Sequence, residues 1–410
     1  MDRTATPLPR FIPEDTVWLV TNADELLANV DWPTDVLQLM THFRKKYSPA
    51  RSHLLCELLE LRNRAKRKFS RAQEMFFYRR GFEQATDELI ATYKARQFPT
   101  AGRTIDLCCG IGGDAIALAQ FCSSLSILDR EHAATTMATA NIRLYTNKEF
   151  RVVNHEVQSI DLSEFDFWHI DPDRRPNEKR QSEPDNCEPP LNDFLSTKGL
   201  SENGAIKLAP AADASDLLQR GAELEWIGHD RECQQQIAWL GSLARNPGKR
   251  TATLLLKNAD ESPATIIDQG FQPIEIANKA KQFMYEPQAC VLAAGLESSI
   301  AAQWGLTQLS EQTAYYVSDE KIASPLLTAF EVIDDLAFHR KTLQQELKKR
   351  NAFVAEVKKR GVTLDPNALQ RELNHAKDGV PIVLLLYKKQ LTIRVTLAKR
   401  ILSSDKDREA

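Results

Sequence analysis

The sequence predicts an α/β protein: a mostly parallel sheet of seven strands, preceded by a helical region and followed by a small α+β domain. Three observations support this. The stretch Thr104-Ile-Asp-Leu-Cys-Cys-Gly-Ile-Gly-Gly-Asp114, followed by Ala115-Ile-Ala-Leu-Ala119, reads as a buried strand, a tight glycine loop and a helix N-terminus. Strand-like and helical patterns alternate from Thr104 to about Leu256, which implies a sheet covered on both faces. From roughly Tyr285 to Ile401 the pattern changes to long helices alternating with short β-branched runs.

At 410 residues the chain is long enough for two or three domains, each with its own core. The composition shifts place them at 1–98 (helical), 99–284 (the sheet) and 285–410 (α+β). Hydrophobic residues at 42% and charged ones at 27% exclude a disordered chain. No apolar run approaches the length of a membrane span and Met1 to Arg10 lacks a signal peptide's apolar stretch, so the expected location is cytoplasmic, with no membrane partner. The seven cysteines show no paired C-x-x-C spacing and are expected as reduced thiols. A net charge of only −3 means that any affinity for nucleic acid must come from local patches.

In chain order, Val17 to Phe98 is expected to be helical, with Leu54, Leu55, Leu58, Leu59 and Leu61 on one face. Within it lie Arg62, Arg64, Lys66, Arg67, Lys68 and Arg71, followed by Arg79 and Arg80. Such a run is either a solvated face or a phosphate-contacting surface. Phe69, Phe76, Phe77 and Tyr78 read as core. After the first strand and helix, strands are expected near Ser124 to Leu128, Arg151 to Val157, Phe165 to Ile170, Gly204 to Leu208, Glu223 to Ile227 and Thr251 to Leu256. Helices are expected at Glu131 to Tyr145 and Leu191 to Ser196, and a charged, proline-rich loop at Arg174 to Pro190. Further on, Glu297 to Gly305 and Arg340 to Lys349 read as helices, and Val380 to Tyr387 and Leu391 to Leu397 as strands. Lys348, Lys349, Arg350, Lys358, Lys359 and Arg360 make this part locally basic.

Gly110, Gly112 and Ala115 satisfy the dinucleotide pattern G-x-G-x-x-G/A, and Asp129 ends the next strand, so NAD or FAD is one candidate ligand. Two carboxylates oppose it. Asp106 and Asp114 bracket the loop where a pyrophosphate would sit, and like charges at ~4 Å cost from ~1 kcal/mol in water to ~4 kcal/mol near a protein surface. A ligand with a cationic end and no phosphate suits the loop better. S-adenosylmethionine qualifies: its sulfonium and α-ammonium favour nearby carboxylates, and Asp129 can accept from ribose hydroxyls. Cys108 and Arg130 flank these positions and join the candidate cofactor-binding set.

A second constellation, Phe167-Trp-His-Ile-Asp171-Pro172-Asp173-Arg174-Arg175-Pro176, places a polar loop at the end of an apolar strand. Methyltransferases acting on exocyclic amines of bases often carry Asp/Asn-Pro-Pro-aromatic there, because acceptors that hold the N–H groups free the nitrogen lone pair for attack. Asp171 and Pro172 match. Asp173 stands in place of the second proline, and Arg174 in place of the aromatic that would stack the base. Arg174 and Arg175 can stack on a ring, bind phosphate, or pair with Asp173, Glu178 or Asp185 to order the loop. No cysteine nucleophile follows Pro172. His229 and Cys233 alone make a poor zinc site, so no metal is expected.

Asp106 to Asp114, the upstream Gly81-Phe-Glu-Gln84-Ala-Thr86, and His169-Ile-Asp-Pro-Asp-Arg-Arg-Pro176 together resemble bacterial class I S-adenosylmethionine-dependent methyltransferases with a C-terminal THUMP-like domain. Glu286-Pro287 through Leu296, Tyr315-Tyr316-Val317-Ser318 and Lys359-Arg360-Gly361-Val362 look like that terminal domain. The glycine loop more distantly resembles RNA-cap guanine-N2 methyltransferases. The resemblance implies a Rossmann-like methyltransferase sheet, with Asp106, Gly110 and Gly112 in the cofactor loop, Asp129 as the ribose-binding acid and Asp171 with Pro172 opening the catalytic loop. It also implies that Gln84 and Thr86 lie where an N-terminal segment closes over the methionine end of the cofactor. The THUMP resemblance implies structured RNA as substrate. The resulting reading is a methyltransferase acting on a base nitrogen in structured RNA. The alternatives are methylation of a small molecule or protein, and a non-catalytic RNA-binding protein with a vestigial pocket.

Overall fold

The computed structural model describes residues 12–28, 30, 35–173, 186–256, 262–311, 313–374 and 379–401. They form two compact units, Met1–Glu223 with Ile237–Pro247, and Leu224–Gln236 with Gly248–Ala410.

The first unit opens with helices α1 (Pro13–Leu27), α2 (Val36–Arg44), α3 (Pro49–Ala65), α4 (Arg79–Gln84) and α5 (Glu88–Ala95). Their starts follow local chemistry: prolines sit in the first turn of α1 and α3, and Asp35 and Asp87 accept from the first backbone N–H groups of α2 and α5. Residues 66–78, expected to continue the helix, are turns and extended chain, so much of the basic run lies past the end of α3. Arg62 is buried there, donating to Met75 O and pairing with Asp24. The leucines of α3 and Phe69, Phe76, Phe77 and Tyr78 are buried, as their spacing indicated.

The α/β part follows: β1 (Arg103–Leu107), α6 (Gly113–Phe121), β2 (Ser124–Leu128), α7 (His132–Tyr145), β3 (Arg151–Val153), β4 (Phe167–Ile170), α8 (Leu191–Leu195), β5 (Gly204–Leu208) and α9 (Ser215–Gln219). The parallel order β3-β2-β1-β4-β5 puts β1 in the middle, with Asp106 in register with His169 and His169 in register with Ala205. Parallel strands buried on both faces read as continuous apolar runs, and Ile105, Leu107, Ile127, Ile170 and Ile206 are all fully or almost fully buried. Asn141 of α7 joins the N-terminal segment to the glycine loop: its side chain accepts from Phe76 N at 2.7 Å and donates to Phe76 O at 3.0 Å and Ile111 O at 2.9 Å.

In the second unit, β6 (Glu223–His229) pairs in parallel with β8 (Arg250–Leu254), which pairs antiparallel with β9 (Ala264–Ile267). All seven predicted strands are present. One not predicted is β7 (Glu232–Trp239), which begins in the second unit and ends in the first; its polar start, Glu-Cys-Gln-Gln-Gln, hid it from an apolar-run search. A second sheet has the order β11-β12-β10-β13-β16-β15-β14. Its strands are β10 (Phe283–Pro287), β11 (Thr307–Gln308), β12 (Tyr316–Ser318), β13 (Leu327–Ala337), β14 (Ala352–Arg360), β15 (Val380–Lys389) and β16 (Thr392–Ile401). Helices α10 (Ala289–Ala293), α11 (Glu297–Trp304), α12 (Arg340–Lys349) and α13 (Pro366–Leu373) alternate with them. Leu343 and Leu347 of α12 and Leu369 and Leu373 of α13 pack on Val354, Ile382, Leu384 and Leu397, giving this α+β region a core of its own. No helix among the described residues is long and apolar enough to cross a membrane.

Candidate active site

The carboxyl ends of β1, β2 and β4 open into one cleft of about 1070 Å³, mouth included. Of the sequence-derived candidates, Gln84, Thr86, Asp106, Cys108, Gly110, Asp114, Asp129, Arg130, Asp171, Pro172 and Asp173 line it. Gly112 does not. It caps α6 with φ 88°, and an added Cβ would lie 3.3 Å from the Cα and Cβ of Ala138, so its place is in close packing on α7. Gly113 lines the cleft instead and lets Thr86 come close: a Cβ there would stand 3.0 Å from Thr86 N. Gly110 holds φ 55° and donates its N–H to Asp129 Oδ2 at 3.0 Å. Arg174, with Arg175, Glu178 and Asp185, lies outside the described residues.

The acids are braced from behind by buried cations and a histidine that the sequence reading did not single out. His169 Nδ1 lies 2.6 Å from Asp106 Oδ1, and Lys94 Nζ lies 3.5 Å from His169 Nε2. A lysine donating to Nε2 assigns the ring proton to Nδ1, which donates to Asp106. Lys94 also forms an ion pair with Asp114 Oδ1 at 2.6 Å, and Thr86 donates to Asp114 Oδ2 at 2.6 Å. Asp106 Oδ2 is buried and has no hydrogen-bond partner among the described residues.

Burial and these neighbours pull the ionisations apart. Desolvation pushes the Asp106 carboxyl up, with His169 opposing. Desolvation also opposes ionisation of Asp114, but the neighbours Lys94, His169 and Lys207 outweigh it and hold Asp114 below the usual carboxylate range. Desolvation pushes Asp129 up against the backbone N–H groups of Glu131 and Gly110 that it accepts. Burial, and then the charge of Asp129, push the Cys108 and Cys109 thiols well up, so both are thiols rather than nucleophilic thiolates.

Beneath the Asp171 loop, Lys207 of β5, which is 4% exposed, reaches Asp171 Oδ2 at 2.6 Å and Gln84 O at 3.0 Å. Gln84 donates Nε2 to Asp173 Oδ1 at 2.9 Å, Arg80 pairs with the same carboxylate, and Arg130 pairs with Glu188. Lys207 had one signal in the sequence, a charge inside the apolar run Gly204-Ala-Ile-Lys-Leu208. His155, Glu156, Val157 and Gln158, just past β3, complete the lining and carried no motif.

Many cations of the basic segments are engaged inside the chain. Arg64 pairs with Glu60, Arg71 with Glu74, and Arg79 with Glu57 and Glu60, while Lys68 donates to Phe82 O and Ala85 O. Lys66 and Arg67 are exposed. In the second unit Lys358 and Arg360 pair with Glu286, and Arg350 with Asp334 and Glu346, whereas Lys341, Lys348, Lys349 and Lys399 are exposed. His229 and Cys233 fall on different strands, β6 and β7, and no cluster of metal ligands occurs among the described residues.

Comparison with known proteins adds to this geometry. A model of THUMP domain-like sequences matches residues 327–399, and one of a ferredoxin-like domain matches 283–324. The crystal structure of a protein from Porphyromonas gingivalis W83, described as a candidate methyltransferase, superposes with a TM-score of 0.77. It covers 96% of this chain and 100% of its own at 21% identity. The fold is that of a class I methyltransferase with a C-terminal THUMP-like domain. Two proteins from Mycobacterium tuberculosis, strains CDC 1551 and H37Rv, are described as uncharacterized S-adenosylmethionine-dependent methyltransferases. Each is 28% identical over 341 residues, covering 79% of this chain and 89% of the relative.

Proposed function

We propose that this S-adenosylmethionine-dependent methyltransferase transfers its methyl group to a base nitrogen in structured RNA. The observation that carries the reading is the position of Asp171-Pro172: at the carboxyl end of β4, on the wall of the cleft that holds Asp106, Asp114 and Asp129.

The residues present fit the cofactor. Asp106 Oδ2, buried without a partner among the described residues, suits a cationic donor such as the α-ammonium, and a buried acceptor left unsatisfied is costly. Asp129 spends one acceptor site of each oxygen on Gly110 and Glu131 and keeps others for the ribose hydroxyls. Gln84, Thr86, Cys108, Gly110, Asp114 and Arg130 form the remaining wall, and Gly112 supports it by packing on α7. A pyrophosphate would face Asp106 and Asp114, so NAD fits poorly. When bound, S-adenosylmethionine supplies a methyl group on a sulfonium, open to attack by a nitrogen lone pair.

Asp171 accepts an N–H from the acceptor nitrogen and aligns its lone pair, Pro172 and Asp173 shape the loop, and Arg174 holds the substrate; the contribution to rate is mainly alignment. The THUMP-like region and the exposed cations Lys66, Arg67, Lys341, Lys348, Lys349 and Lys399 support RNA as the partner through phosphate contacts. Seven cysteines without a paired spacing in the sequence suit the cytoplasm.

The test is transfer of labelled methyl groups from S-adenosylmethionine to total RNA, with protein and small-molecule extracts in parallel. RNA takes the label, and Asp171→Ala lowers the rate by at least about 100-fold while cofactor affinity is retained. Label confined to protein or small molecules rejects RNA as substrate.

A further inference from the structure

We propose that Lys207 is a positioning residue for methyl transfer, and that its pairing with Asp171 restricts the acceptor to a nitrogen presenting an N–H. The inference rests on the methyl-transfer reading above.

The pairing follows from sheet register. In parallel strands paired residues share a face, and alternate residues return to it. Asp106 pairs with His169 and His169 with Ala205, so Asp171 and Lys207, each two residues further on, fall on the face that carries Asp106. Lys207 is 4% exposed, and a buried ammonium requires a counter-charge and acceptors. It has both, Asp171 Oδ2 at 2.6 Å and Gln84 O at 3.0 Å. The neighbouring lysines are committed elsewhere: buried Lys94 to Asp114, and half-buried Lys68 to Phe82 O and Ala85 O.

These contacts close a ring. Lys207 holds Asp171 and the Gln84 carbonyl; Pro172 leads to Asp173; Asp173 accepts from the Gln84 side chain. Lys207 thereby fixes Asp171 through its carboxylate and, through Gln84, fixes the far end of the same short loop. Among the described residues nothing donates to Asp171 Oδ1, which is left as an acceptor. A carboxylate in an ion pair has no proton to give, so it receives an N–H and repels a ring nitrogen that offers only a lone pair. In the transfer, the nitrogen lone pair forms the N–C bond as the C–S bond breaks. The C–S electrons stay on sulfur as a neutral thioether, and the methylated nitrogen releases one N–H proton toward Asp171 Oδ1 and solvent.

The test is a cycle of Lys207→Met, Asp171→Asn and the double variant, read as kcat, KM, affinity for S-adenosylhomocysteine and melting temperature. Lys207→Met lowers kcat by about 100-fold, with cofactor affinity kept within about threefold. Asp171→Asn strands the buried ammonium. The double variant recovers about tenfold over Lys207→Met, because an amide carbonyl is an acceptor that needs no counter-ion. Unchanged kcat in Lys207→Met, or a double variant no better than the singles, overturns the positioning role. Digestion of labelled RNA yields a nucleoside methylated at a nitrogen that bore an N–H, and methylation at a ring nitrogen that offers only a lone pair, such as N7 of guanine, overturns the restriction on acceptors. Label entering only protein or small molecules removes the RNA reading, while the same cycle run on that acceptor still decides the role of Lys207. If nothing is labelled, additive melting shifts across the cycle overturn the pairing itself.

Discussion

Both units bury a carboxylate among cations, and the two clusters differ in what is left over. In the second unit both oxygens of Glu286 are taken, one by Lys358 and one by Arg360, and the two cations keep 26% and 37% of their side chains exposed. That cluster is saturated and shares its charge with water. In the first unit Lys94 and Asp114 are 3% and 8% exposed, and Asp106, satisfied on one oxygen by His169, keeps the other buried at the cleft with no partner among the described residues. A saturated pair ties strands together. One with an oxygen to spare is a receptor for a donor from outside.

The contrast is open to direct attack. Lys94→Met should have the largest effect: it leaves Asp114 buried without its cation, and removing one partner of a buried pair costs about 3–5 kcal/mol, read as a lowered denaturation midpoint. Lys358→Met should cost under about 1 kcal/mol in the same measurement, since Arg360 still holds Glu286 and the lost cation was partly solvated. Equal losses would erase the distinction between the two clusters. A further test is a pH slope from Lys68, whose pKa burial lowers from 10.5 to about 8, with the charge of Lys207 adding to the shift. Between those values the unfolded chain binds more protons, so stability rises as pH climbs from about 8 to 10.5, and the strain on the folded state is greatest below that window. Melting curves across it should lose this rise in Lys68→Met.

The strand ends were legible in the sequence, and with them Asp106, Asp129 and Asp171, because an acid closing an apolar run next to glycines is a local signal. The partners that hold those acids were not. The partners of His169 and Lys207 cannot be read until β4 and β5 are set in register beside β1, and Lys94 sits on a different helix from Asp114. Gly112 illustrates the same limit: the motif counts it among the loop glycines, but its neighbour is Ala138 of α7. The basic runs stayed open between a solvated face and a phosphate surface, since their local density says nothing about Glu57, Glu60, Glu74 or Glu286, which pair with many of them. Strand β7 was missed because its exposed start leads into buried positions that are not apolar: Gln235 and Gln236 are 4% and 0% exposed.

The central claim is that the spare Asp106 oxygen receives the ammonium end of S-adenosylmethionine. Calorimetric titration of the wild type and Asp106→Asn with S-adenosylmethionine, S-adenosylhomocysteine and NAD tests it directly. The account predicts that both adenosyl ligands bind the wild type, that NAD gives no heat, and that Asp106→Asn weakens both adenosyl ligands by about 100-fold without unfolding the chain. Binding of NAD, or unchanged affinity for both adenosyl ligands in Asp106→Asn, would contradict it.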